Sequence, residues 1–135
     1  MPLPPLIPLE HFFDNPEKAA TKISPDGARL SWLAPVDGVL NIWVADRGGE
    51  GAAPVTHDSG RGIRSYFWSR DSRLLLYMQD AGGDENYHLF AADPERPGRP
   101  RDLTPFAGVK AGVIALPRAT PRHVLVSLNL RARDL

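Results

Sequence analysis

Ile23-Ser24-Pro25-Asp26-Gly27 and Trp68-Ser69-Arg70-Asp71-Ser72 are two versions of one phrase, and their recurrence decides the fold. Working outward, the first is followed by Leu30-Ser31-Trp32-Leu33, then Asn41-Ile42-Trp43-Val44-Ala45-Asp46, then Pro54-Val55-Thr56. The second is followed by Leu74-Leu75-Leu76-Tyr77-Met78, then Tyr87-His88-Leu89-Phe90-Ala91-Ala92-Asp93, then Asp102-Leu103-Thr104. From Ser24 to Ser69 the offset is 45 residues, from Asp46 to Asp93 it is 47, and from Thr56 to Thr104 it is 48. A third copy begins with Leu116-Pro117, crosses a turn ending near Pro121 and runs on through His123-Val124-Leu125-Val126-Ser127-Leu128. A period of this size is that of propeller blades, each a sheet of four strands.

Within a copy, the runs rich in β-branched, aromatic and leucine residues are short, bounded by turn formers and without a 3.6-residue period, so they read as strands. In Ser24-Pro25-Asp26-Gly27 the proline presets φ, Asp26 can bond its own backbone and Gly27 accepts a left-handed φ, which makes a hairpin between the first two strands of a blade. Ser72 stands where the first copy has glycine. Keeping the same backbone would cost on the order of 1 kcal/mol, so a somewhat altered turn is expected there. The near-continuous apolar run Leu74 to Met78 suits a strand covered on both faces. Pro35 to Val39, Arg47 to Ala53, Ala81 to Asn86 and Pro94 to Pro100 read as surface connections. One segment, Pro8 to Thr21, reads as helical, with Leu9, Phe12 and Phe13 on an apolar face and Asn15 capping a turn that starts at Pro16.

The expected architecture is all-β: a lead-in over residues 1–22, then an incomplete β-propeller over 23–135. Blade one covers about 23–57, blade two about 63–105 and a partial blade three about 112–135. Propellers usually close with 4 to 8 blades. Two and a half blades therefore leave open edges through which copies could self-associate, unless further chain completes the ring.

Composition limits the alternatives. The chain has 135 residues, 42% of them apolar, with no net charge and no cysteine. That describes a globular polypeptide of one domain or a piece of one, without disulfide or thiolate chemistry. No apolar stretch reaches the length of a membrane span, and no membrane partner is expected. Met1 to Leu9 holds four prolines and no Lys or Arg, unlike a secretory or transit signal, so a cytoplasmic location is the expectation. Residues 1–95 carry 8 Lys/Arg against 14 Asp/Glu, and residues 96–135 carry 8 against 2. No basic run is interleaved with aromatics, which argues against nucleic acid.

Candidate chemistry is sparse. His57-Asp58-Ser59 has the residue types of a hydrolytic triad, but neighbours in sequence cannot form the relay of nucleophile, base and orienter. Asp84-Glu85 with His88 could hold a metal or an amine, yet strand alternation would point Glu85 and His88 to opposite faces if the strand already begins there. The plainer reading makes Gly82-Gly83-Asp84-Glu85-Asn86 a turn whose side chains cap backbone amides. Gly48-Gly49-Glu50-Gly51 opens no helix and lacks a following Lys-Ser/Thr, so it is a loop and not a phosphate cradle. Trp32, Trp43, Trp68 and Tyr77 fall at repeat positions and read as core between blades. No G-x-S-x-G is present. The expectation is a chain with no catalytic, cofactor-binding or metal-binding residue and no cofactor.

Several of these stretches together carry a resemblance. They are Ile7-Pro8-Leu9 with Phe12-Phe13 and Asn15-Pro16, the Ser24-Pro25-Asp26-Gly27 turn, Asn41-Ile42-Trp43, and Trp68-Ser69 with Asp71. The run Asp80 to Phe90 (DAGGDENYHLF), Leu103-Thr104-Pro105-Phe106 and Leu128-Asn129-Leu130-Arg131 complete the set. The chain resembles the N-terminal propeller of the prolyl oligopeptidase family of serine peptidases, in its acylaminoacyl-peptidase and dipeptidyl-aminopeptidase-like branch. The resemblance implies a longer enzyme in which an α/β-hydrolase domain supplies Ser, Asp and His, while the propeller caps the cavity and admits short oligopeptides. No triad position can be carried over to this chain, and the paired glutamates that grip a substrate N-terminus in some relatives have no match. The isolated chain is expected to hydrolyse nothing. The alternative is a non-catalytic TolB-like propeller module that offers its rim to a protein partner.

Overall fold

The computed structural model describes Leu3 and residues 18–130, and among these every regular element is a strand. Blade one is a four-stranded antiparallel sheet in chain order: β1 (Ala19–Ile23), β2 (Arg29–Val36), β3 (Val39–Asp46) and β4 (Ala53–Pro54). Blade two repeats it with β5 (Phe67–Trp68), β6 (Leu75–Gln79), β7 (His88–Ala92) and β8 (Arg101–Asp102). Blade three holds β9 (Ala111–Ala115) paired with β10 (Leu125–Leu128). Two complete blades and the first strands of a third are the expected partial propeller.

Two expectations about local structure are corrected. The helical reading of Pro8 to Thr21 fails where it can be seen, because Lys18 is a bend and Ala19, Ala20 and Thr21 belong to β1; residues 8–17 lie outside the described residues. Pairing with β2 outweighs whatever helical periodicity the apolar residues offered, and the strand is irregular. Its register with β2 shifts between Ala19 and Lys22, and Ala20 has φ 52°. The second correction concerns Pro35 to Val39. Strands β2 and β3 run to Val36 and Val39, paired with each other, so only Asp37 and Gly38 form the connection. Their φ values of 50° and 81° are those of a two-residue turn with both centres left-handed, for which Asp-Gly is among the preferred pairs.

Alternation along the strands distributes side chains to two faces. From blade one, Leu33, Ile42, Val44 and Val55 meet Trp68, Leu75, Tyr77 and Ala92 of blade two, with Ile63 and Tyr66 from the connecting segment closing the cluster. From the other face of blade two, Leu76, Leu89 and Ala91 pack with Phe67, Leu74, Met78 and Leu103 against Leu116, Val124 and Val126 of blade three. The run Leu74 to Met78 is therefore apolar throughout because β6 is sandwiched: Leu75 and Tyr77 serve one seam, Leu76 and Met78 the other. Tyr77 also stacks on its cross-strand partner Phe90, with ring centroids 5.6 Å apart.

The seam between blades one and two carries polar ties inside its apolar core. Trp68 Nε1 donates to Ser31 Oγ at 2.8 Å, Ser31 Oγ lies 2.8 Å from the Tyr66 hydroxyl, and that hydroxyl donates to the Ala20 carbonyl at 2.7 Å. Each buried polar group is thus satisfied. Burial pushes the Tyr66 phenol up, against the opposing effect of the Ser31 bond. It pushes Tyr77 up to about 12, with the charge of Asp58 adding to the effect.

Candidate functional site

Two hydroxyl networks recur blade by blade and set the loops. In the first turn Ser24 Oγ donates to Asp26 Oδ1 at 2.6 Å and accepts the Arg29 N–H at 3.0 Å, while Asp26 Oδ1 also accepts the Ala28 N–H. In the second, Ser69 Oγ donates to Asp71 Oδ1 at 2.6 Å and accepts the Leu74 N–H at 3.0 Å, while Asp71 Oδ1 accepts the Arg73 N–H. The main-chain bonds match as well: Gly27 N–H to the Ser24 carbonyl, Ser72 N–H to the Ser69 carbonyl. The expectation of an altered second turn is therefore wrong. Ser72 adopts φ 63° where Gly27 has 74°, and the serine and aspartate bonds that build the turn are indifferent to the residue that follows them. The Ser24 hydroxyl, then the Ala28 amide, hold the Asp26 carboxyl below the usual carboxylate range.

The second network lies between the third and fourth strands. Thr56 Oγ1 accepts the Ile42 N–H at 2.9 Å and donates to Asn41 Oδ1, which also takes the Asp58 N–H at 2.6 Å. At the equivalent level Thr104 Oγ1 accepts the Leu89 N–H at 3.1 Å, and Asp102 Oδ1 accepts the Thr104 N–H. His88 replaces Asn41 here, its Nδ1 lying 2.7 Å from Asp102 Oδ2.

His57, Asp58 and Ser59 do not form a relay. The Asp58 carboxylate accepts the Gly62 N–H at 2.7 Å and its carbonyl takes the Asn41 amide, so the residue braces the loop that leads to blade two. The exposed His57 ring sits beside Gly98, where a Cβ would come within 3.1 Å of it. Gly48-Gly49-Glu50-Gly51 closes the connection from β3 to β4, with Gly49 N–H bonded to the Asp46 carbonyl and Asp46 N–H to the Glu50 carbonyl.

The hairpin after β6 is a set of capped amides, in line with the plainer reading. Asp84 Oδ1 accepts the Asn86 N–H at 2.9 Å, and Asp80 Oδ2 accepts the Glu85 N–H at 3.0 Å. Asp80 is the anchor that sequence reading passed over. Its side chain is 4% exposed, with Arg61 Nη1 3.7 Å away. Strand alternation cannot relate Glu85 to His88, since β7 begins at His88 and Glu85 is a turn residue at φ 60°. A cavity of about 340 Å³ opens beside this hairpin, lined by Asp80, Asp84, Asn86, His88, Phe90 and Asp102 among others. Among the described residues no three histidine or acidic side chains are grouped so that they could hold a metal ion.

Of the four aromatic residues expected between blades, Trp68 and Tyr77 are in the seam, whereas Trp32 is buried on the other face of blade one. Trp43 differs. It faces Trp32 across β2 and β3 on the far side of blade one from the seam, and is only half-buried. Its Nε1 donates to the Ala34 carbonyl at 3.2 Å.

Comparison with known proteins places this architecture. No protein-family model matches the chain. Over 127 residues, 93% of the chain, it is 49% identical to dipeptidyl aminopeptidase BIII of Pseudoxanthomonas mexicana, of which it covers 18%. Over 86 residues, 63% of the chain, it is 28% identical to dipeptidyl peptidase family member 6 of Caenorhabditis elegans, covering 12% of that protein. The chain therefore spans under a fifth of the length of each of these relatives. The fold is similar to that of the β-propeller domain of the trilobed protease from Pyrococcus furiosus, described as having an open velcro topology. The TM-score is 0.52 with 24% identity, covering 73% of this chain and 32% of that one. Kinship to a dipeptidyl aminopeptidase along nearly the whole sequence, and a fold shared with the propeller domain of a protease, support the resemblance drawn from the motifs to an N-terminal propeller segment of the prolyl oligopeptidase family.

Proposed function

We propose that this chain forms the first blades of a propeller that walls the reaction cavity of a serine peptidase and restricts entry to short oligopeptides. The catalytic groups come from an α/β-hydrolase domain of the same longer polypeptide. The observation that carries the reading is 49% identity over 93% of the chain to a dipeptidyl aminopeptidase of which it covers only 18%. The described side chains agree: the Ser24, Ser69, Thr56 and Thr104 hydroxyls, the Asp26, Asp71 and Asp58 carboxylates and the His88 imidazole are engaged in turns and strand bracing, the work of a wall. In the whole enzyme an activated serine and an oxyanion hole would release dipeptidyl units, and this segment would act by exclusion.

A chimera tests it. The matching 127-residue stretch of the Pseudoxanthomonas enzyme is replaced by that of this chain, and hydrolysis is followed with a dipeptidyl chromogenic substrate and with an unfolded protein of several hundred residues. The expected chimera cleaves the first and spares the second. A folded chimera that digests the long polypeptide would overturn the filter role. One that folds but cleaves neither would favour the scaffold alternative, in which the blades serve a protein partner.

A further inference from the structure

Among the described residues four other than glycine hold a positive φ, and Ser72 is the buried one. Nothing in its own turn requires a side chain there, since Gly27 makes the same turn in blade one and a Cβ at Gly27 would meet nothing within 4 Å. A serine in this conformation carries a backbone cost that glycine avoids. What the side chain gains is across the seam: Ser72 Oγ accepts the Asp26 N–H at 2.9 Å, joining positions 46 residues apart. The first turn leaves that amide available. Its internal bonds use the N–H groups of Ser24, Gly27, Ala28 and Arg29.

We propose that Ser72 is an inter-blade latch: a serine held in a glycine's conformation so that its hydroxyl ties the blade-two turn to the backbone of the blade-one turn and fixes the angle between the blades at their rim. The same seam is bridged close by, where Arg29 of blade one pairs with Glu95 beyond β7. Arg29, Asp26, Ser72 and Glu95 line one polar cavity there. The seam between blades two and three is tied differently, by the Arg70 side chain donating to the Leu116 carbonyl.

Hydrogen exchange in the full chain tests it without any substitution. The Asp26 amide, in an exposed turn, is expected to exchange at least tenfold more slowly than a free amide of the same sequence context. Ser72→Gly relieves the backbone and deletes the acceptor. It is expected to speed Asp26 exchange at least tenfold while leaving the Ser72-position amide, bonded within its own turn, unchanged. Ser72→Asn tolerates the left-handed conformation and restores an acceptor, so it should recover much of the protection. An unprotected Asp26 amide in the wild type, or unchanged Asp26 exchange in a folded Ser72→Gly variant, would overturn the latch. Should Ser72→Gly fail to fold, the wild-type exchange rate and the Asn variant still decide.

Discussion

Blade one and blade two place similar residues at matching positions, Ile42 with Leu89, Trp32 with Tyr77, Trp43 with Phe90, and yet the two sheets live in different surroundings. Blade two has a neighbour on each face and feeds both clusters. Blade one has its described neighbour on one face only, so Tyr77 and Phe90 form a stacked pair inside the seam while Trp32 and Trp43 face each other on the far side. Lys18 lies over Trp32 there, its Nζ 4.6 Å from the ring in a cation–π contact. The difference teaches that the repeated pattern decides which face a side chain takes and how deeply it is buried, Trp32 being as buried as Tyr77 and Trp43 half-buried like Phe90, while the adjoining blade decides what it packs against.

The sharpest test of that distinction is a matched pair of core truncations. Ile42→Ala removes a fully buried side chain from the larger cluster and is expected to cost about 4 kcal/mol, and Leu89→Ala in the smaller cluster about 1 kcal/mol less. Urea denaturation of both variants measures the gap, and equal costs would break the comparison.

Alkaline pH probes the seam next. The Tyr77 phenol ionises near 10 when unfolded and at about 12 when folded, so its contribution is complete below pH 10 and is lost as pH rises through 12. The loss amounts to roughly 3 kcal/mol. Tyr77→Phe should flatten the fall in stability between pH 10 and 12, leaving the smaller share of Tyr66, which shifts the same way. An identical alkaline profile for wild type and variant would contradict the burial of Tyr77.

The strand braces differ by less. Thr56→Val strands the Ile42 N–H and removes a donor from Asn41, at an expected cost of about 2 kcal/mol. Thr104→Val strands only the Leu89 N–H and should cost about 1 kcal/mol, measured in the same way. Of the same size is Gly27→Ser, which copies blade two's residue into blade one, where its left-handed backbone has no acceptor role to offset the strain. It should lower stability by about 1 kcal/mol. A neutral result would mean that serine sits comfortably in this turn wherever it is placed.

Most of the fold was legible because it is written twice. Ser24 and Ser69, Asp46 and Asp93, Thr56 and Thr104 mark the same points of two sheets, and repetition makes short strands credible that would be ambiguous singly. The segment around Ala19 was misread since its partner, β2, lies beyond a turn that helical periodicity does not see. Asp37-Gly38 could have been recognised from the residue pair alone, whereas the inward turn of Asp80 could not, because Arg61 reaches it from a distant loop. Ser72 was read as an irregularity when its meaning lies 46 residues away, at Asp26. Residue types and local spacing report the strands and turns; polar ties between blades become visible only when two copies stand side by side.

Each described sheet is threaded in chain order, every strand hydrogen-bonded to the one before it, and in blade one the two longest meet at a reversal of only two residues. Contacts so local in sequence demand little loop closure, which makes β2–β3 the long pairing of blade one that the chain can form without first bringing distant segments together.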